Sequence, residues 1–214
     1  MFALRPAPRL RCLAARLAGF IAQFACIGSV AAQGAVFAPD PQAWTTAPGV
    51  AAIFQHACIR SSAQSEGAID WALTQGFEPL DALGGHGYEL LEGQPGNVLT
   101  APGSEGRLLL VVSHDQRCTV WAQRIAGPAM RLAMGEMLSR VSAAGARINP
   151  DFERNLERAG AWRNYSQWRY RAVGVVQEFS LTAVTTLTST PGTQALHMAP
   201  WKGGGIAPDG MPAR

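Results

Sequence analysis

Past residue 32 the sequence contains no uninterrupted apolar run of the roughly 18 residues that a membrane-crossing helix needs. No membrane span is expected in the mature chain. Cysteine is scarce too: Cys12, Cys26, Cys58 and Cys118 are the whole supply, too few to form the scaffold of a disulfide-built domain. The absence of any Cys-x-x-Cys pair removes the usual thiol-redox motif. No serine sits in a G-x-S-x-G context, which removes the nucleophile elbow of a common hydrolase fold. No internal repeat is visible in the residues.

Acidic residues are missing altogether from the first 32 positions, where 'MFALRPAPRLRCLAAR' carries Arg5, Arg9, Arg11 and Arg16. The uncharged run 'LAGFIAQFACIGSV' follows, and 'VAAQ' sets small residues at Val30 and Ala32, the positions a signal peptidase reads. Residues 1–32 are therefore expected to be a secretory signal peptide cleaved after Ala32. A lipoprotein signal fits worse, because Gln23, Phe24 and Ala25 precede Cys26 where lipid attachment usually places leucine three positions before the cysteine. The whole chain is +3 and this segment holds four arginines and no acid, so the remainder carries −1. The apparent basicity belongs to the export signal, and a nucleic-acid partner loses its support. The remaining 182 residues suit one domain able to bury a sizeable core.

Two cysteines survive cleavage, Cys58 in 'FQHACIRSSA' and Cys118 in 'SHDQRCTVWA', and an exported chain meets an oxidising compartment. One structural disulfide is the expectation, worth about 4 kcal/mol for a loop of this length in the chain-entropy model. The competing arrangement is a zinc set of His56, Cys58, His114 and Cys118. Its residue types are right, but His-x-Cys on a helix points the two side chains apart, so no metal is expected. Nothing in the sequence calls for another cofactor.

The segment 33–49, 'QGAVFAPDPQAWTTAPG', is rich in proline and glycine and reads as a flexible leader. Apolar residues then recur at helical spacing over residues 50–60 and again over 66–75, with Gly76 as the stop. From Pro79 to Gly106 glycine and proline dominate, with 'YELL' and 'NVLT' as short extended candidates. 'RLLLVV', 'SHDQ' and 'RCTVWAQ' form a β-hairpin in which Cys118, Val120 and Ala122 share one face and Thr119, Trp121 and Gln123 the other. 'GPAMRLAMGEMLSRVSAAG' is a helix with Pro128 at its start, a stripe of Met130, Met134, Met137, Leu138 and Val141, and Gly145 at its end. Copper thioethers are one reading of that stripe and core packing the simpler one. 'NPDFERNLERAGAW' begins with Asn149 and Pro150 in capping order and reads as a further two-turn helix with a solvated charged face. The period then becomes two through 'QWRYRAVGVV', 'QEFSLTAVTTLTS' and 'QALHMA', giving two or three antiparallel strands. Residues 201–214 read as a disordered tail. The expected fold is α+β: a single domain over 50–200, with an antiparallel sheet of about five strands and helices packed on one face.

Chemistry-bearing motifs are few. 'SHD' at Ser113, His114 and Asp115 holds the letters of a hydrolase triad, but consecutive residues cannot form its hydrogen-bond chain, so it reads as a turn. 'GGHG' around His86 has glycine content without the strand and helix order of a phosphate loop. Glu89 and Glu92 near His86 are the one acid–base possibility. The order of a helix carrying Cys58, a hairpin carrying Cys118, a helix and a terminal antiparallel unit, together with 'WALTQGF' at Trp71 to Phe77, resembles small uncharacterised exported proteins of Gram-negative bacteria over residues 50–199. That resemblance implies a location and no reaction. Two functional classes follow. One is a periplasmic or secreted binding module for a protein or glycan partner in the cell envelope, with Trp121, Trp162, Trp168 and Tyr170, and His86 beside them, as ligand contacts. The other is a small periplasmic hydrolase or cell-wall-modifying enzyme using His86 with a carboxylate.

Overall fold

The structure is a computed structural model that describes residues 41–80, 86–158 and 160–202. The expected signal peptide, residues 33–40, the glycines of 'GGHG' before His86 and the tail from residue 203 lie outside them. A 3-10 turn (Pro41–Thr45) leads into α1 (Ala47–Ile53), which runs on without a break as one π-helical stretch (Phe54–Ile59). There follow α2 (Ser65–Thr74), β1 (Glu78–Leu80), the short α3 (His86–Leu90), β2 (Gly96–Thr100), β3 (Leu108–Ser113), β4 (Cys118–Ile125), α4 (Gly127–Ala143), β5 (Arg147–Arg158), β6 (Ala161–Arg171), β7 (Phe179–Thr186) and β8 (Gly192–Pro200). The strands form one antiparallel sheet in the order β1-β2-β3-β4-β8-β7-β6-β5. Each half of the sheet is a meander preceded by a helix, and the halves meet where β4 pairs with β8.

Strand alternation sorts the residues onto two faces. Leu108, Leu110, Val112, Cys118, Val120, Ala122, Leu196, Met198, Leu181 and Phe179 lie on the face that α1, the π-helical stretch, α2 and α4 cover. The π-helical stretch buries Ala57, Cys58 and Ile59 in succession, which an α-helix of 3.6 residues per turn would not aim at one surface. Cys58 thereby reaches β4, and the Cys58–Cys118 disulfide is formed, with sulfurs 2.02 Å apart and Cα atoms 5.5 Å apart. Met130, Met134 and Met137 are buried in the same core, so the methionine stripe packs α4 onto the sheet. Among the described residues no helix is long and apolar enough to cross a membrane.

The α+β class holds, but the sheet has eight strands and not about five. The largest correction concerns 149–162, expected as a helix: residues 147–158 form a strand paired with β6 from Arg147↔Arg171 to Arg158↔Ala161, and Ala161 and Trp162 open β6 itself. Phe152 and Leu156 explain the error. A spacing of four places two residues on one face of a helix and equally on one face of a strand, so the pair carries no information about the period. Pro150 is accommodated because β5 is an edge strand and its register shifts between Pro150 and Phe152. The exposed charges of β5, Asp151, Glu153, Arg154 and Glu157, stand where an edge strand needs protection from unwanted pairing. The 'YELL' stretch is also not extended, since α3 takes most of it, whereas 'NVLT' is β2. The leader ends earlier than expected: Trp44 is buried with its ring centroid 6.2 Å from Trp71 and 6.4 Å from Phe77, so the ordered domain includes residues 41–49.

Candidate functional site

The face of the sheet opposite the helices carries a row of polar side chains. Its residues come from odd positions of β3, β4 and β8 and even positions of β7, and continue through β6 into β5: Val111, Thr119, His197, Thr182, Gln167 and Phe152 form one row across the strands, each paired with the next. A neighbouring row runs Leu109, Trp121, Ala195, Val184, Tyr165 and Arg154. Two small apolar clusters flank the polar row, one of Leu91, Val98 and Val111, the other of Tyr165, Val184 and Ala195, and Trp121 packs against both. Arg154 lies over the Phe152 ring at 4.9 Å from its centroid.

At the centre of the row is His197. Its Nδ1 lies 2.9 Å from the Thr119 hydroxyl, and the Trp121 ring meets it edge-on at 5.7 Å with an interplanar angle of 88°. The residue is half-buried, yet its Nε2 is shut off from water and has no hydrogen-bond partner among the described residues. Burial pushes its pKa down to about 4, so the imidazole is neutral at physiological pH. Two strands away, Gln167 is 1% exposed, and neither its Nε2 nor its Oε1 has a partner among the described residues. Three orphaned polar atoms therefore stand on one transverse row, separated by the short Thr182. Adjacent strands lie about 4.8 Å apart, so the His197 and Gln167 backbones stand on the order of 10 Å apart with Thr182 between them. Each unmet buried polar group costs about 1–3 kcal/mol, and a bound group that hydrogen-bonds all three would offset that cost. One further orphan, Trp44 Nε1, lies alone on the helix side.

The aromatics expected to act together are divided by this geometry. Trp121 is on the His197 face. Trp168 and Tyr170 point toward the helices and pack with the main core, Tyr170 being buried. Trp162 is 55% exposed near the start of β6, opposite Glu157. His86 opens α3, and its side chain lies outside the described residues. Of the carboxylates near it, Glu92 is engaged at 2.8 Å by Arg117. Ser113 and Asp115 are joined by a hydrogen bond within a turn, with Arg117 2.7 Å from the other Asp115 oxygen. Burial pushes the Asp115 carboxyl up, but the Ser113 hydroxyl and the Arg117 guanidinium outweigh it and hold it below its usual range. Ser113 and Asp115 thus serve the turn. The tetrahedral set is broken up as well, because the two sulfurs are bonded to each other and His56 stacks on Trp71 at 5.7 Å. Among the described residues no cluster of three or more His, Cys, Asp or Glu side chains is placed to hold a metal.

Sequence reasoning missed His197, Thr182 and Gln167. 'QALHMA' is expected as a strand, and the alternation of His197 with Leu196 and Met198 within it is the one available signal. The row itself depends on β8 lying between β4 and β7, which no local pattern encodes. Comparison of the chain with protein-family models, curated proteins and solved structures found no match.

Proposed function

We propose that this is an exported binding module of the cell envelope whose ligand lies on the sheet face around His197, Thr182 and Gln167. The observation that carries the reading is the set of three unpartnered polar atoms on one row, at His197 Nε2 and both ends of the Gln167 amide. A neutral imidazole, an amide and hydroxyls recognise neutral groups that both donate and accept, and Trp121 beside them supplies an aromatic surface. This combination suits an uncharged glycan, whose hydroxyl and acetamide groups match the row and whose ring faces pack on tryptophan. The disulfide between the helical layer and β4 fits life in an oxidising compartment. The resemblance to small exported proteins of Gram-negative bacteria points the same way.

The test is titration with N-acetylglucosamine oligosaccharides followed by tryptophan fluorescence. Saturable binding is expected, weakened at least tenfold in His197→Ala and in Gln167→Ala, as loss of a buried hydrogen bond of about 1.5 kcal/mol or more requires. Affinity unchanged in both variants contradicts the assignment, as does the absence of binding to any oligosaccharide.

A further inference from the structure

The loop between β6 and β7 presents valines to solvent. Val173 is 68% exposed and Val176 90%, with Val175 at the edge of exposure between them. Isolated exposed apolar residues are ordinary, but three within four positions at the tip of a rigid hairpin are not. Gln177 fixes the loop from the side by donating to the Gln116 side chain at 2.8 Å, so the tip is held outward.

Around this tip arginines outnumber acids. Arg147 and Arg171 are directly opposite one another on β5 and β6, a like-charge cross-strand pair that destabilises a sheet unless an anion is shared. Neither has an acidic partner among the described residues. With Asn149, Arg169, Tyr170 and Glu178 they line a cavity of about 170 Å³. Arg60 and Arg140 line a second opening that Val173 itself borders. Among the described residues Glu178 is the one acid lining either cavity, and it lies 3.8 Å from Arg169. Trp201 sits against the same patch, with the Arg169 guanidinium 5.5 Å from its ring centroid. Apolar tip, arginine collar and adjacent tryptophan are the parts of a surface that meets a bilayer from one side, valines entering the headgroup layer and arginines holding phosphates.

We propose that the β6–β7 end of the sheet docks on an anionic phospholipid surface through Val173, Val175 and Val176, with Arg147 and Arg171 on the lipid phosphates. This surface is separate from the His197 row and stands on different residues. The test is sedimentation of the full chain with vesicles of phosphatidylglycerol and phosphatidylcholine against vesicles of phosphatidylcholine alone, in low and high salt. The apolar run of residues 17–32, where still attached, contributes equally to every variant, so the reading is the difference between variants. Wild type is expected to prefer the anionic vesicles and to lose that preference in high salt. Arg147→Gln and Arg171→Gln should each reduce it about fivefold, and Val173→Ser with Val176→Ser roughly tenfold. Both sets lie at the surface, and unchanged thermal unfolding verifies that they fold. The pair His197→Ala and Gln167→Ala should bind vesicles like wild type, which keeps this result apart from that of the glycan site. Equal partition of wild type and the arginine and valine variants overturns the proposal. Binding of inorganic phosphate by Arg147 and Arg171 without vesicle preference assigns them to a soluble anion and overturns it too.

Discussion

His197 is kept neutral by burial, which places its pKa at about 4 against 6.5 for a free imidazole. Below pH 6.5 the unfolded chain takes up a proton that the folded chain refuses, so stability falls as pH falls. The loss opens near pH 6.5, deepens down to about pH 4 and levels off beneath it, where both states are protonated. Its full size is up to about 3 kcal/mol, reduced by the partial exposure of the ring. His56 acts in the same direction, through burial first and Arg60 second, and its half-exposed position makes its share smaller. Urea unfolding of wild type and His197→Gln at pH 7 and pH 4.5 checks this. The variant should lose distinctly less stability between the two, and parallel losses would mean that His197 does not titrate in this range. The same shift means that ligand binding through Nε2 should be flat from pH 8 to about pH 5.

At the level of elements, α4 is anchored by its first residue. The Gly127 N–H donates to the Thr186 hydroxyl at 3.1 Å, and Arg131 donates to the Thr185 hydroxyl and the Thr186 carbonyl at 2.9 and 2.8 Å. A Cβ at Gly127 would stand 1.7 Å from the Thr186 carbonyl oxygen, so Gly127→Ala must push the helix off β7. A loss of about 1–3 kcal/mol is expected from that overpacking. Gly135 gives the opposite sign within the same helix, because a Cβ there meets nothing within 4 Å. Gly135→Ala should stabilise by about 0.5–1 kcal/mol through helix propensity. Thermal unfolding of the two variants decides the matter, and similar shifts in both would contradict the close packing at Gly127. The elements readable from sequence were those with an unambiguous period: α4 from its methionine stripe, the β3–β4 hairpin from alternation around Cys118, and β6 to β8. β1 was invisible because all three of its residues, Glu78, Pro79 and Leu80, are exposed and carry no pattern. β5 was misread because Phe152 and Leu156 satisfy helix and strand alike.

At the largest scale the described residues form two meanders joined at β4 and β8, with the helical layer tied to that seam by Cys58–Cys118. Opening the bridge removes a constraint on a 60-residue separation, worth about 4 kcal/mol. Cys58→Ala should therefore lower the melting temperature by on the order of 10 °C, with the Cys58→Ala, Cys118→Ala double variant equal to it, because either change opens the same link. A double variant markedly less stable than the single one would show that Cys118 contributes beyond the bridge. The partners of this bridge were legible because only two cysteines follow residue 32 and both lie on core faces. The candidate site was not, apart from Trp121, because it exists only when Thr119, His197, Thr182 and Gln167 are brought from four strands into one row. Its direct measurement is a nuclear magnetic resonance titration with an N-acetylglucosamine oligosaccharide, following the His197 imidazole and the Gln167 side-chain amide. Saturable shifts at both, with the Trp162 and Trp168 indoles unmoved, are the predicted result, and a ligand that binds while those two side chains stay unshifted would contradict the assignment of this face as the binding site.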